Sequence, residues 1–427
     1  MQRINAPKGT QDILPAESWK WQTVERVARE VAGLYHFQEI RTPVFEHSEL
    51  FHRGVGETSD FVRKETFTFD DRGGESLTLR PEGTAGVARA MIENGLLNDQ
   101  GARHKVFYIG PNFRYERPQK GRYRQHHQFG AEAFGVAEPE QDAECIQLQM
   151  HFYHRCGLRD LELRINSLGD AESKARYRGA LQNFLMPHCA RLSDDSQRRL
   201  TENPLRILDS KDPRDIEACK EAPPAVLHLS DKSLTHFKRV VDLLINTVDL
   251  PFPIREDYTL VRGFDYYTET LWEVTAAGLG AQNAVGGGGR YDNLVTQLGG
   301  KPTPGVGFGS GLERLLIALD AQGVALPRDA QPLVWLVAHG DAARDANVRL
   351  LRDLRNAGIS SDTDLSRRSV KAQFKLAERE HAAFAIVTGD DELAAGTVVL
   401  KDLAKREETT LPRNAVIDGL SARLKSS

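Results

Sequence analysis

Pro111–Glu132 reads PNFRYERPQKGRYRQHHQFGAE. Arg114, Arg117, Lys120, Arg122 and Arg124 crowd this stretch, Glu116 is the acidic residue near its start, and Gly121 breaks the run at its middle. The flanks, VFYIG before it and FGAEAFG after it, are apolar runs of strand type, so the stretch reads as a hairpin. An arginine-rich loop taken alone is a solvated surface. Here the arginines are fixed to two apolar strands, and Gln128 and Glu132 follow on the returning strand. That combination suits a site that clamps phosphate with guanidinium forks and reads a small polar molecule beside it.

Around this hairpin lie 427 residues, enough for two or three domains with cores of their own. Lys+Arg is 56 and Asp+Glu is 60, a formal net charge of -4. This excludes a histone-like basic protein but not a nucleic-acid enzyme, because local patches bind phosphate and totals do not. Cys145, Cys156, Cys189 and Cys219 sit far apart without a CxxC pair. Neither a zinc knuckle nor a disulfide framework fits, and a reduced, cytoplasmic setting is the expectation. No apolar leader opens the chain and no run approaches the ~18 apolar residues of a membrane span, so no membrane association is expected.

Residues 1–15 read as an extended segment with Pro7 and Pro15 flanking GTQDIL. A helix should start after Pro15, since Val24, Val27, Val31 and Leu34 make one apolar face, with Gly33 weakening its end. FQEIRTPVFEHSELF reads as strand, Pro43, then further strand or helix; Pro43 cannot donate to a ladder and belongs at an edge or an interface. TFTFD and SLTLR form a hairpin that runs into Pro81-Glu82-Gly83-Thr84 and a helix over 85–94. Glu82 at that corner reads either as a site carboxylate or as one that satisfies the helix start. A helix over 141–156 and the strand LELRINSLG follow. Residues 170–257 are charged, helical and irregular, and read as an insertion. Strand alternation returns over 258–274 with Arg262, Asp265, Tyr266 and Tyr267 inside it; a buried Arg262 needs an anion, either a ligand or an internal partner such as Asp265 or Glu269. AVGGGGRYDNLV follows, with glycines that permit close backbone approach or positive φ but do not make a Walker loop. GVGFGSGLERLLIAL enters a helix with Glu313 and Arg314 in its first turns, a geometry that favours a phosphate-facing Arg314 over a surface one. Beyond the polar linker LPRDAQP, strands and helices alternate as a small α/β domain with a mostly parallel sheet. Its second helix is read with Arg367, Arg368, Lys371, Lys375 and Arg379, either a solvated face or an RNA-facing edge.

Together these pieces resemble the bacterial-type histidyl-tRNA synthetases, which are class II aminoacyl-tRNA synthetases. FQEIRTPVFE resembles the first class motif, GPNFRYERPQKGRYRQHHQFGAEAFG the second and GVGFGSGLERLLIAL the third. LVRGFDYYTET, GGRYDNLV and PKGTQDILP are similar to peptides of the histidine enzyme. The resemblance implies an α+β class II catalytic core over residues 1–325, an antiparallel sheet flanked by helices, with a helical insertion at about 170–257. It also implies a C-terminal α/β anticodon-binding domain over residues 332–427 and a homodimer with Pro43 at its interface.

The implied reaction joins L-histidine to tRNA(His) through a histidyl-adenylate, consuming ATP with its accompanying Mg2+ and releasing pyrophosphate and AMP. No metal held by protein side chains is implied. By the same resemblance, Arg262 and Arg114 are catalytic, holding the α-phosphate, with Arg262 in place of a metal ion and also bordering the amino acid. Arg122 and Arg314 grip the γ-phosphate, and His126, where family members carry Phe, stacks on adenine. Glu82, Thr84 and Gln128 meet the ammonium group of histidine, and Glu132 meets its imidazole, with Tyr266, Tyr267 and Tyr291 completing the pocket. Arg117, Gln119 and Arg124 face the tRNA acceptor end. Two rival readings are the regulatory-subunit paralogue of ATP phosphoribosyltransferase and another class II synthetase; a plain RNA-binding module is a third.

Overall fold

The computed structural model describes residues 3–55, 65–99, 101–247, 252–280, 283–328 and 332–425. Two compact units divide the chain, Met1–Arg328 and Asp329–Ser427. Residues 329–331 of the linker and 248–251 of the stretch read as the insertion lie outside the described residues.

The first unit is built on an eight-stranded sheet. Its order is Gln38–Glu39, His104–Phe113, Gln125–Phe134, Gly305–Gly311, Ala284–Arg290, Thr268–Ala276, Leu161–Ser167, Ile254–Glu256. The six inner strands pair antiparallel, while each outermost strand pairs parallel with its neighbour, so the sheet is mixed. The basic stretch is a hairpin whose strands stay in register from His104–Phe134 to Phe113–Gln125. Gly121 at its tip has φ +73°, the left-handed conformation that glycine adopts without a steric cost.

Period-two alternation divides the sheet into two faces. On Gln125–Phe134, Phe129, Ala131 and Ala133 enter the main core, whereas His126, Gln128 and Glu132 take the opposite parity. Phe129 meets Phe152 of the helix Pro139–Arg155 and Phe308 of Gly305–Gly311 edge-on, at ring separations of 4.8 and 5.5 Å. The helix Pro15–Leu34 adds Val24, Val27, Ala28 and Val31 to the same core. Each such valine contributes roughly 1.5–3 kcal/mol by leaving water.

The inserted helices start at N-caps written in the sequence: Asp170, Ser193, Asp212 and Ser230 each accept a backbone N–H of the first turn. Tyr177, Leu181, Leu185, Leu200 and Ile207 form a separate core there. The stretch read as the insertion is not wholly separate, however. Its helix Asp231–Asp242 buries Phe237 and Val240 in the main core, and Ile254–Glu256 is a sheet strand. The regular strand after it is shorter than the alternation suggested. Only Thr268–Ala276 joins the ladder, and Arg262 lies in irregular chain before it.

The second unit carries a five-stranded sheet ordered Ser361–Thr363, Val334–Ala338, Phe384–Thr388, Thr397–Asp402, Glu407–Pro412. Two pairings are parallel and two antiparallel, which corrects the mostly parallel expectation. The turn after Asp402 is too short for a crossover, so Glu407–Pro412 must return antiparallel. Arg367 and Arg368 precede the helix Val370–Arg379, so the basic group is split between loop and helix.

Candidate active site

Strand parity places His126, Gln128 and Glu132 on one face, loops and a helix start bring the arginines to it, and a cavity of about 510 Å³ opens there. Arg114, Arg122, His126, Gln128, Arg262 and Arg314 all line it. Each arginine is oriented by the fold. Arg114 donates to the Pro81 carbonyl at 2.9 Å and lies over the Phe264 ring. Arg314 donates to the carbonyls of Gly121 and Ala284 at 3.0 and 2.8 Å. Arg122 is ion-paired with Glu116. Arg262 donates to Glu273 at 2.8 Å, so its internal partner is neither Asp265 nor Glu269. Burial opposes charge on Arg262, but Glu273 and the surrounding groups outweigh it and leave its pKa raised. Burial also lowers the pKa of Arg114 and of Arg314. A group of guanidinium cations in one partly closed cavity is a strong receptor for a polyanion.

His126 stands among them. Burial, with Arg114, His127 and Arg314 nearby, holds its imidazole well below the usual histidine range, so the ring is neutral near pH 7. A neutral, flat ring on the cavity wall is competent to stack on an aromatic base.

Beside the cavity, Glu132 is fully buried and takes three hydroxyl donors, from Thr84 at 2.7 Å, Tyr291, and Tyr108 at 3.4 Å. Burial pushes its pKa up to about 8 despite these donors. Glu82 accepts the backbone N–H of Thr84 at 2.6 Å and of Ala85 at 2.8 Å, which caps the helix Thr84–Glu93. The helix-start reading of Glu82 is therefore realised, and each carboxylate oxygen keeps a further lone pair. Burial raises its pKa as well. Tyr266 stacks on Phe264 and packs against Tyr267 and Tyr291, and all three tyrosines are buried. Gln128 accepts from Asn112 at 2.7 Å.

Glycines make this crowding possible. A Cβ on Gly307, directly across the ladder from Glu132, would collide with the carboxylate, and one on Gly305 would collide with Tyr291. The run Gly286–Gly289 has the same explanation. Gly287 and Gly289 leave room for Arg262 and Tyr267, while Gly286 and Gly288 accommodate Tyr153 and Trp272. None of the four has positive φ, so close approach is the reason for them.

The hairpin tip divides. Arg117 and Gln119 are exposed, and Gln119 bridges Arg122 across the turn. Arg124 is instead drawn in, with its guanidinium 4.0 Å from the centre of the Tyr115 ring and its backbone N–H on the Gly9 carbonyl. That contact docks the PKGTQDILP segment onto the hairpin.

Several lining groups or their contacts were not legible in the sequence. Glu273 is the partner of Arg262, and its signal is a lone carboxylate inside the apolar strand TLWEV. Glu313 fixes His127 through its backbone N–H and its ring, both near 3 Å. Arg199, Arg206 and Lys211 reach the cavity from the insertion, and no local pattern announces them. Among the described residues, no group of three or more His, Cys, Asp or Glu could hold a metal ion.

This sheet, its arginine-lined cavity and its Gly-rich third motif entering a helix define a class II aminoacyl-tRNA synthetase core. The histidyl-tRNA synthetase family model matches residues 9–315, and the anticodon binding domain model matches 333–423. The chain belongs to the histidyl-tRNA synthetase family. It is 47% identical over 420 residues to the histidine–tRNA ligase of Geobacillus sp. (strain WCH70), covering 98% of this chain and 99% of the relative. It is also 47% identical over 423 residues to that of Bacillus subtilis (strain 168), covering 99% of both. Among solved structures, the apo histidyl-tRNA synthetase of S. aureus superposes with a TM-score of 0.82 at 37% identity, covering 97% of this chain and 99% of the other.

Proposed function

We propose that this chain ligates L-histidine to tRNA(His) in two steps. In the first, a carboxylate oxygen of histidine attacks the α-phosphorus of MgATP; the new C–O–P bond forms as the Pα–O bond to the β-phosphate breaks and pyrophosphate leaves. A carboxylate is already a competent nucleophile, so this step needs in-line positioning and charge neutralisation, not a general base. Arg114 and Arg262 are assigned to the α-phosphate, Arg122 and Arg314 to the γ-phosphate, and His126 to adenine. Glu82, Thr84 and Gln128 are assigned to the ammonium group and Glu132 to the imidazole, with Tyr266, Tyr267 and Tyr291 around it. In the second step a ribose hydroxyl of the terminal adenosine of tRNA attacks the acyl carbon of the adenylate, the ester bond forms as the bond to the AMP oxygen breaks, and AMP leaves, with Arg117, Gln119 and Arg124 at the acceptor end.

The observation that carries this reading is the pairing of an arginine-lined cavity with the buried Glu132 site beside it. A neutral imidazole has one donor and one acceptor, and a carboxyl beside phenols satisfies both. An amino acid lacking them would leave buried polar atoms unpaired, a discrimination that reaches roughly 10⁴-fold. Pyrophosphate exchange into ATP, run with each amino acid, tests it: histidine alone should support exchange. Exchange with another amino acid and none with histidine would overturn the assignment.

The paralogue reading lacks support here, since the arginines at 114, 262 and 314 and the anticodon-binding match over 333–423 are all present. A homodimer is part of the proposal. Phe45 and Phe69 expose apolar surface on a three-stranded sheet ordered Phe45–His47, Ser76–Leu79, Phe67–Asp70, and Val44 exposes more between Pro43 and that sheet. A cytoplasmic setting, where tRNA is charged, belongs to the same proposal. Among the described residues, no helix is long and apolar enough to cross a membrane.

A further inference from the structure

Arg262, Tyr266 and Tyr267 sit in a segment that belongs to no helix or strand. Something outside the segment must therefore satisfy its carbonyls and fix its path. The donors come from the inserted helices. Lys174, in the helix Ala171–Leu185, donates to the carbonyls of Asp265 at 2.7 Å and Tyr267 at 3.1 Å. Arg206, in the short turn Pro204–Ile207, donates to the Gly263 carbonyl and lies 3.7 Å from the Asp265 carboxylate. Asn203 donates to that same carboxylate at 3.0 Å. Leu260 and Val261, just ahead of Arg262, pack into the core of the insertion rather than the main core.

We propose that Lys174, Asn203 and Arg206 form a latch through which the inserted helices set the position of Arg262 and Tyr267. The inference rests on the function proposed above, because it treats those two residues as substrate contacts. The three donors are positioning residues and touch no reacting atom. Their number and convergence argue for this role: three side chains from two places in the insertion grip three consecutive odd-numbered residues, 263, 265 and 267. A single structural tie would not span the segment. Without the latch, Arg262 keeps Glu273 but loses the fixed backbone that aims it, and a displacement near 1 Å can cost about 100-fold in rate.

Full-length protein carrying Lys174→Met keeps the aliphatic stem and loses the donors. Without substrates, hydrogen–deuterium exchange should speed up at residues 263–267 and stay unchanged in the main sheet. In ATP–pyrophosphate exchange, kcat should fall at least about tenfold and the KM for histidine should rise, with Lys174→Arg restoring most of both. Asn203→Ala, a milder change, should move the same quantities in the same direction and decides the matter if Lys174→Met does not fold. Unchanged protection at 263–267, or kinetics within about twofold of the parent for both variants, overturns the latch. A parent protein that activates no histidine would instead overturn the proposed function, while the substrate-free exchange still judges the latch.

Discussion

Arg262 and Glu132 show how single residues acquire their chemistry here. Arg262 lies against Glu273, which fixes its guanidinium and partly neutralises it. Arg262→Ala should lower adenylate formation by about 10²–10³-fold, measured by single-turnover kinetics, while histidine binding by calorimetry falls far less. Equal losses in both would make Arg262 a structural partner of Glu273. Glu132 holds its proton up to about 8 in the folded chain, against 4.5 ordinarily. Above pH 4.5 the unfolded chain releases this proton while the folded chain keeps it. Stability relative to the E132Q variant should therefore decline as pH rises from about 4.5 to about 8 and level off on either side. Urea midpoints of the two proteins across this range test it, and parallel curves would refute it. The carboxyl itself was legible in the sequence, since it follows the basic run on the return strand. Its three hydroxyl donors were not, because Thr84, Tyr108 and Tyr291 are brought together only by folding.

At the scale of elements, the strands Ala284–Arg290 and Gly305–Gly311 are glycine-rich because each lies under large side chains of its neighbours. Gly307→Ala places a methyl against Glu132, and overpacking of this kind costs about 1–3 kcal/mol. The variant should melt earlier and lose pyrophosphate exchange. By contrast, a methyl added at Gly179, within the helix Ala171–Leu185, would meet no atom within 4 Å, so Gly179→Ala should stabilise by about 0.5–1 kcal/mol. Chemical denaturation of both variants checks the pair. The hairpin, the first helix and the third-motif helix were legible because period and turn chemistry are local. The extent of Thr268–Ala276 was not. Apparent alternation over 258–267 reflects an irregular segment gripped by Lys174, Asn203 and Arg206, and such tertiary contacts leave no periodic trace.

For the whole molecule, the two compact units make separable demands. Deleting residues 332–427 should leave histidine-dependent pyrophosphate exchange within a few-fold of the parent and reduce tRNA charging by about 100-fold or more, as removal of an anticodon contact surface would. Collapse of both activities would show that the first unit depends on the second. Phe45→Glu, on the exposed apolar sheet, should convert a dimer to a monomer in sedimentation velocity; an unchanged sedimentation coefficient would place the interface elsewhere.

The sequence alone determined the order of the pieces and the basic hairpin, because periodicity and turn chemistry are properties of neighbouring residues, and it determined the class of the fold through the family resemblance that its motifs carry. Tertiary structure decided what the arginines face, which carboxylate pairs with Arg262 and why four glycines adjoin. It also decided that Ile254–Glu256 and the helix Asp231–Asp242 belong to the main sheet and core rather than to a separate insertion. Those outcomes depend on which surfaces become adjacent when apolar faces leave water, and residues 186 positions apart, such as His127 and Glu313, carry no local sign that they will meet.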